Sequence, residues 1–255
     1  MPDTSSASRR SAFLTAEWRW LAMLNYSIDS AILEPFVPRG TKLDSWSGET
    51  LVSVVGFRFL RTRLLGVALP MHSDFDEVNL RFYVRSVSNG ETRRGVVFIR
   101  EIVPRRAIAL VARFTYNEPY IALPMRSATP PQRFPLVDCE PGQVEYAWRH
   151  KRRWNRLSLK STGAPVIPQR GSQEDFITEH YWGYTRQRNG GTVEYQVDHP
   201  RWRVWQADEA RLECDVAALY GDQFVDALAD HPRSAFLAEG SPITVYAPRR
   251  LPTST

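Results

Sequence analysis

Lysine is almost missing from this chain of 255 residues: Lys42, Lys151 and Lys160 are the only three, so 30 of the 33 basic residues are arginine. Arginine keeps its charge and makes bidentate contacts, but it cannot form a Schiff base or readily accept a proton. Cysteine is equally scarce. Cys139 and Cys214, 75 positions apart, rule out a disulfide framework. The Cys139 thiolate, flanked by Asp138 and Glu140, is disfavoured as a nucleophile. Long apolar runs are absent too; the best are Leu51–Phe57 and Ala107–Ala112, far short of the roughly 20 residues that span a bilayer. Met1–Arg10 carries Asp3 and no apolar stretch, unlike a secretory signal. These absences predict a soluble, cytoplasmic, reduced protein with no membrane partner. No Walker A loop, Gly-rich dinucleotide fingerprint or Gly-x-Ser-x-Gly elbow is found, so no cofactor is expected.

What is abundant is aromatic: 12 Phe, 10 Tyr and 8 Trp in a chain that is 43% hydrophobic, enough to exclude disorder and to build a sizeable core. The formal net charge of +5 sits entirely in Arg149–Arg156, through Arg149, Lys151, Arg152, Arg153 and Arg156. The remainder balances to zero. Trp148 and Trp154 interleave with this strip, an arrangement that can track phosphates while rings stack on bases. A nucleic-acid binder would carry a wider basic stripe, which argues against that partner. A subunit interface, where Arg and Trp are enriched, is the alternative.

Two-residue alternation predicts strands over Trp18–Tyr26, Leu51–Leu60, Val78–Val87, Gly95–Val103, Val144–Trp148, Trp154–Leu159, His180–Arg186, Thr192–Val197 and Ile243–Ala247. Asp29 or Ser30 can cap a short helix ended by Pro38-Arg39-Gly40, and helical spacing marks Ala107–Asn117 and Asp215–Ala229. Thr129–Pro135 is the most linker-like stretch. The expected fold is α+β and mostly β: a large antiparallel, strongly curved sheet or cone-shaped β-barrel with about three short helices. Residues 1–11 read as a flexible tail and 12–250 as one domain.

The order of motifs is specific. WRWLAMLNYSIDSAILEPFVP, DFDEVNLRFYVR, FIREIVPRRAIALVARFTYNEPY, EHYWGY, HPRW and AEGS together resemble the YqjF-like family of uncharacterised bacterial proteins, over about residues 12–250. That family is placed in the acetoacetate-decarboxylase-like superfamily. The resemblance implies a cone-shaped, mostly antiparallel barrel around a small-molecule pocket, in a fold whose members form oligomers. The superfamily's enzyme attacks a β-keto acid with a lysine in a Pro-Lys-Lys segment, assisted by an arginine and a glutamate. By motif, Arg19 and Glu77 stand at the arginine and glutamate, and Arg113 at the arginine of the helix leading to the lysines. Pro119-Tyr120-Ile121 replaces Pro-Lys-Lys. Tyr120 cannot form an imine and Ile121 cannot depress a neighbour's pKa, so the resemblance does not carry lysine-dependent decarboxylation with it.

Arg19, Glu77, Arg113, Glu118, Tyr120 and His180 are thus the candidate ligand-binding residues. Arg19 is expected to grip the anionic end of a small organic acid or carbonyl compound, with Glu77 and Tyr120 supplying hydrogen bonds. One alternative is an enzyme with Glu77 or Glu118 as general base and Tyr120 as proton donor, for enolisation or hydrolysis. Another is a structural or interaction protein with a filled barrel. Glu179-His180-Tyr181-Trp182 on a predicted strand, with His199 beyond, falls short of a zinc ligand set. Alternation points at most one of Glu179 and His180 inward.

Overall fold

The computed structural model describes residues 11–68, 73–88, 90–104, 117–130 and 142–251. Among these residues fifteen strands form one hydrogen-bonded sheet. The first eight are β1 (Ala12–Ser27), β2 (Lys42–Leu43), β3 (Leu51–Leu64), β4 (Val67–Ala68), β5 (Phe75–Ser88), β6 (Glu91–Val103), β7 (Tyr120–Ala122) and β8 (Met125–Ala128). They are followed by β9 (Gln143–His150), β10 (Arg153–Val166), β11 (Trp182–Arg186), β12 (Thr192–Asp198), β13 (Val204–Glu213), β14 (Ser234–Tyr246) and β15 (Arg249–Arg250). The path β12-β11-β6-β5-β3-β1-β14 returns to β12 through Val197 and Asp198, which pair with Val245 and Thr244. Seven strands therefore close a ring, removing the free edges an open sheet would expose. From β14 the sheet continues through β13, β10, β9 and β8. All pairings are antiparallel except those of β6 with β11 and with β7.

Most strands run longer than alternation alone predicts, the one expected over His180–Arg186 runs shorter, and β13 is not among those expected. Asp29 caps α1 (Ser30–Leu33) by accepting the Ala31 N–H at 2.9 Å, as its sequence suggests. The helical stretch predicted over Asp215–Ala229 is split into α3 (Val216–Tyr220) and α4 (Val225–Ala229). Gly221, with φ +112°, ends the first piece, a conformation side chains with a Cβ avoid. Earlier in the chain, α2 (Gln173–Thr178) is capped by Ser172, whose hydroxyl accepts the Asp175 N–H. The helix predicted over Ala107–Asn117, apart from Asn117, lies outside the described residues, as do Arg113 and Cys139. Among the described residues no helix is long and apolar enough to cross a membrane.

The buried apolar residues form two clusters. One is packed with Trp20, Phe82, Tyr146, Trp148, Trp205 and Phe224. The other contains Leu21, Met23, Phe57, Phe59, Phe75, Phe176, Trp202 and Phe236, and it surrounds the ring's cavity. β1 serves both by changing face. Leu14, Ala16 and Trp18 belong to the cavity cluster, as do Leu21 and Met23, whereas Trp20, Ala22, Leu24 and Tyr26 lie in the packed one. The change occurs at a bulge: Arg19 pairs with Arg58 and Ala22 with Gly56, leaving two residues opposite Phe57, and Trp20 has φ +57°. Such positive φ is costly for a bulky residue.

The basic strip forms the β9–β10 hairpin tip. Trp148 is fully buried, so it cannot stack on a partner. Trp154 alone of the pair is exposed, with the Arg126 and Arg149 guanidinium carbons 4.4 and 5.8 Å from its ring centroid.

Candidate functional site

The ring is not filled. It holds a cavity of about 320 Å³ whose walls are mostly apolar and rich in aromatic rings, including Trp18, Phe57, Phe59, Phe98, Trp182 and Trp202. Polar groups reach it from a few strands only. Along β5 every second residue from Phe75 faces it: Glu77, Asn79 and Arg81 are all lining residues, while Val78, Leu80 and Phe82 pack on the other side. Asn79 pairs with Glu101 across β5–β6, and Glu101 pairs with Tyr120 across β6–β7. Strand register therefore places Asn79, Glu101 and Tyr120 in one row, with Glu77 one step along.

Within this group Glu77 accepts hydrogen bonds from the Asn79 amide at 3.0 Å and the Tyr120 hydroxyl at 3.1 Å. Glu118 accepts from the hydroxyls of Thr185 on β11 and Tyr195 on β12, the latter at 3.0 Å. The Tyr195 ring can cross β11 only because residue 183 is glycine: a Cβ there would lie 2.1 Å from the ring's Cζ. Glu101 and Asn79 are each 2% exposed, and Glu101 Oε2 and Asn79 Oδ1 have no hydrogen-bond partner.

Three carboxyls buried this close cannot all ionise easily. Burial pushes Glu77 up to about 7, against its hydrogen bonds from Asn79 and Tyr120 and the pull of Arg81. Glu118 is raised to about 8 by burial, with the Glu77 charge adding to it, although Thr185 and Tyr195 oppose the shift. Glu101 lies well above the usual carboxylate range through burial first, then the charges of Glu118 and Glu77. The trio shares its protons and titrates as a unit. Burial and the neighbouring carboxylates also hold the Tyr120 phenol in its protonated form.

The opposite polar end is basic. The Arg81 guanidinium is anchored through Nη2 to the Ile177 carbonyl at 3.4 Å, a group α2 delivers. Its Nε–H is buried without an acceptor, and among the described residues it has no carboxylate within ion-pair distance. His180, 8% exposed, packs on Tyr83 and Phe176 with ring centroids 4.7 and 5.3 Å away. Neither of its ring nitrogens reaches a partner within hydrogen-bond geometry. Burial, followed by the charges of Arg94 and Arg81, lowers its pKa well below the usual imidazole value, so it is neutral at pH 7.

The structure thus brings Glu77, Tyr120 and His180 to one cavity and sets Glu118 just behind its wall. Arg19 is not among the residues that line it. Its guanidinium donates to Glu17 at 2.8 and 3.0 Å and to the Gly240 carbonyl at 2.9 Å. The physical reason is the bulge: counting back by twos from Leu21 would put Arg19 inside, but the turn at Trp20 reverses the face. The expected strand through Glu179–Tyr181 begins only at Trp182, and Glu179 turns away to accept from Tyr181 at 2.7 Å. Sequence reasoning missed Glu101, Asn79, Arg81 and Tyr195. Lys42, Lys151 and Lys160 are all exposed, and none lines the cavity. Among the described residues no group of three or more His, Cys, Asp or Glu is arranged to hold a metal ion.

A model of the DUF2071 family, described as an uncharacterized conserved protein, matches residues 15–249. The chain belongs to that family. A curated relative, the uncharacterized protein YqjF of Bacillus subtilis, is 27% identical over 201 residues, covering 78% of this chain and 76% of the relative. Among solved structures, acetoacetate decarboxylase from Legionella pneumophila matches with TM-score 0.66 at 12% identity, over 99% of this chain and 92% of the other. The enduracididine biosynthesis enzyme MppR, solved with pyruvate, matches with TM-score 0.66 at 13% identity, over 100% and 96%. At these identities the likeness is one of fold: this DUF2071 chain has the acetoacetate-decarboxylase-like architecture.

Proposed function

We propose that the cavity binds a small, largely apolar organic molecule bearing a carboxylate or a carbonyl, without imine chemistry. The observation that carries this reading is the Arg81 side chain, which lines a cavity rich in aromatic rings, comes within ion-pair distance of no carboxylate among the described residues, and keeps a buried Nε–H without an acceptor. A buried donor left unmet costs about 1–3 kcal/mol, and an anionic oxygen at that point would recover it. Arg81, not Arg19, takes the role of holding the anionic end; neutral His180 stands beside it as a second polar contact. Tyr120 in place of the expected lysine, and three exposed lysines, leave the lining residues without an amine for a Schiff base. That MppR is seen with pyruvate and shares the fold supports a small oxo-acid or related compound as the ligand class.

The test is calorimetric titration with 3-phenylpropanoate and 4-phenyl-2-oxobutanoate. Saturable binding is expected, weakened by more than tenfold in Arg81→Leu. Absence of binding by the parent protein at millimolar concentration, or an affinity indifferent to Arg81→Leu, refutes the reading.

One observation favours acid–base chemistry on such a ligand. Glu77, at about 7 and hydrogen-bonded to Tyr120, is poised to exchange a proton near neutral pH. Deuterium exchange at C3 of bound 4-phenyl-2-oxobutanoate, followed by NMR, is expected to exceed the solution rate and to fall to it in Glu77→Gln. Exchange that survives this substitution removes Glu77 as the base.

A further inference from the structure

The polar groups that β5 brings to the cavity form two ends of opposite character. Glu77 and Arg81 are four residues apart on the same face of β5, so their Cα atoms lie on the order of 13 Å apart in extended chain. Phe57 faces Glu77 from β3, and Phe98 faces Arg81 from β6, so the stripe is walled by rings on both sides. At the Arg81 end the unmet groups are an N–H donor and an imidazole. At the Glu77 end Glu101 Oε2 and Asn79 Oδ1 are acceptors, both in side chains 2% exposed, while the unpartnered Trp18 Nε1–H and Thr62 Oγ1 line the cavity from β1 and β3. Tyr120 already spends its proton on Glu77, and Arg81 comes within ion-pair distance of no carboxylate among the described residues.

Resting on the reading that a carboxylate docks at Arg81, we propose that the cavity selects an amphoteric ligand. Its carboxylate meets Arg81, its body is short and apolar or aromatic, and a protonated nitrogen meets Glu77, Glu101 and Asn79. An ammonium or amidinium group brings several N–H donors and a positive charge to a spot that has unmet acceptors and too many carboxyls. A ligand that is acidic only leaves those acceptors bare. Glu118, held by Thr185 and Tyr195, adds negative charge from behind the wall.

The experiment compares three related probes by calorimetry at pH 7.5: 3-(4-ethylphenyl)propanoate, its isostere 3-[4-(aminomethyl)phenyl]propanoate, and 4-ethylbenzylamine. The amphoteric probe is expected to bind at least tenfold more tightly than the acid, and the amine alone more weakly than the amphoteric probe. In Glu101→Gln the ratio between amphoteric probe and acid should collapse towards one. Asn79→Ala, made in case Glu101→Gln fails to fold, should reduce the same ratio. An amphoteric probe no tighter than the acid, or a ratio unchanged in these variants, overturns the inference while the carboxylate site stands. If none of the three probes binds, the carboxylate reading falls and this one with it.

Discussion

Glu194 and Glu101 are both almost completely withdrawn from water, and they are treated in opposite ways. Glu194 on β12, 1% exposed, sits between Arg249 at 2.6 Å and Arg93 at 3.1 Å. Glu101 on β6, 2% exposed, has no ion-pair partner among the described residues and has two more carboxyls for neighbours. A buried charge is tolerated when its field is cancelled locally, as at Glu194. Glu101 meets the same burial by keeping its proton. The first arrangement holds strands together at the β12–β15 edge; the second keeps polar capacity in reserve on a cavity wall. Compensation marks a carboxylate that works for the fold; under the binding reading proposed above, its lack marks one that meets a ligand.

The contrast breaks most sharply under substitution. Glu194→Ala strands Arg93, whose side chain is 11% exposed, and is expected to cost about 3–5 kcal/mol in denaturant unfolding. Glu101→Gln swaps one neutral group for another of the same shape, and its unfolding free energy should stay within about 1 kcal/mol of the parent. Equal losses in the two variants would erase the distinction.

A second, smaller effect probes the support of the trio. Gly183→Ala forces the Tyr195 ring aside and removes its hydrogen bond to Glu118, for about 1–3 kcal/mol of stability. Tyr195→Phe in the same background should then add almost nothing further, because the bond is already lost. A full additional loss would show that the ring had kept its place.

The smallest effect is in the pH dependence. Carboxyls raised in the folded state bind protons that the unfolded chain has released above about pH 4.5. Their contribution to stability is therefore lost progressively as pH rises, through about 7 for Glu77 and about 8 for Glu118. His180 and His199, lowered in the fold, act the other way but only up to about pH 6.5, where the unfolded imidazole loses its proton. From pH 6.5 to 8 stability should fall by up to about 1.4 kcal/mol per pH unit for each retained proton, and Glu118→Gln should flatten the slope. A parent slope of zero over that window would mean the trio is ionised after all.

Much of the architecture was legible as alternation: Leu51–Leu60 and Val78–Val87 sit inside longer strands, and Asp29 announced its helix. The resemblance led directly to Glu77 and Tyr120. What stayed hidden has a common cause. In an antiparallel strand, polar residues at every second position read as the watered face, so Glu77, Asn79 and Arg81 look like a solvent stripe on β5. Closure of the ring turns that stripe inward, and closure depends on the short β12–β14 contact, which no local pattern announces. Glu101, in the run Arg100-Glu101-Ile102, has the same disguise. Tyr195 depends on the bare backbone of Gly183, a relation between two strands.

The bulge at Trp20 bears on how residue roles pass between relatives. The strand carries one residue more than an even pleat needs, and that residue delivers an indole to the packed cluster, 6.0 Å from the ring of Trp205. An alignment that runs through this point without a gap, against a relative whose first strand is evenly pleated, assigns every residue on one side of it to the wrong wall. Arg19 is the position where such an error would matter most, since it converts a rivet between Glu17 and Gly240 into a supposed ligand anchor. Homology transfer in this fold is therefore safe only after the strands have been counted in three dimensions.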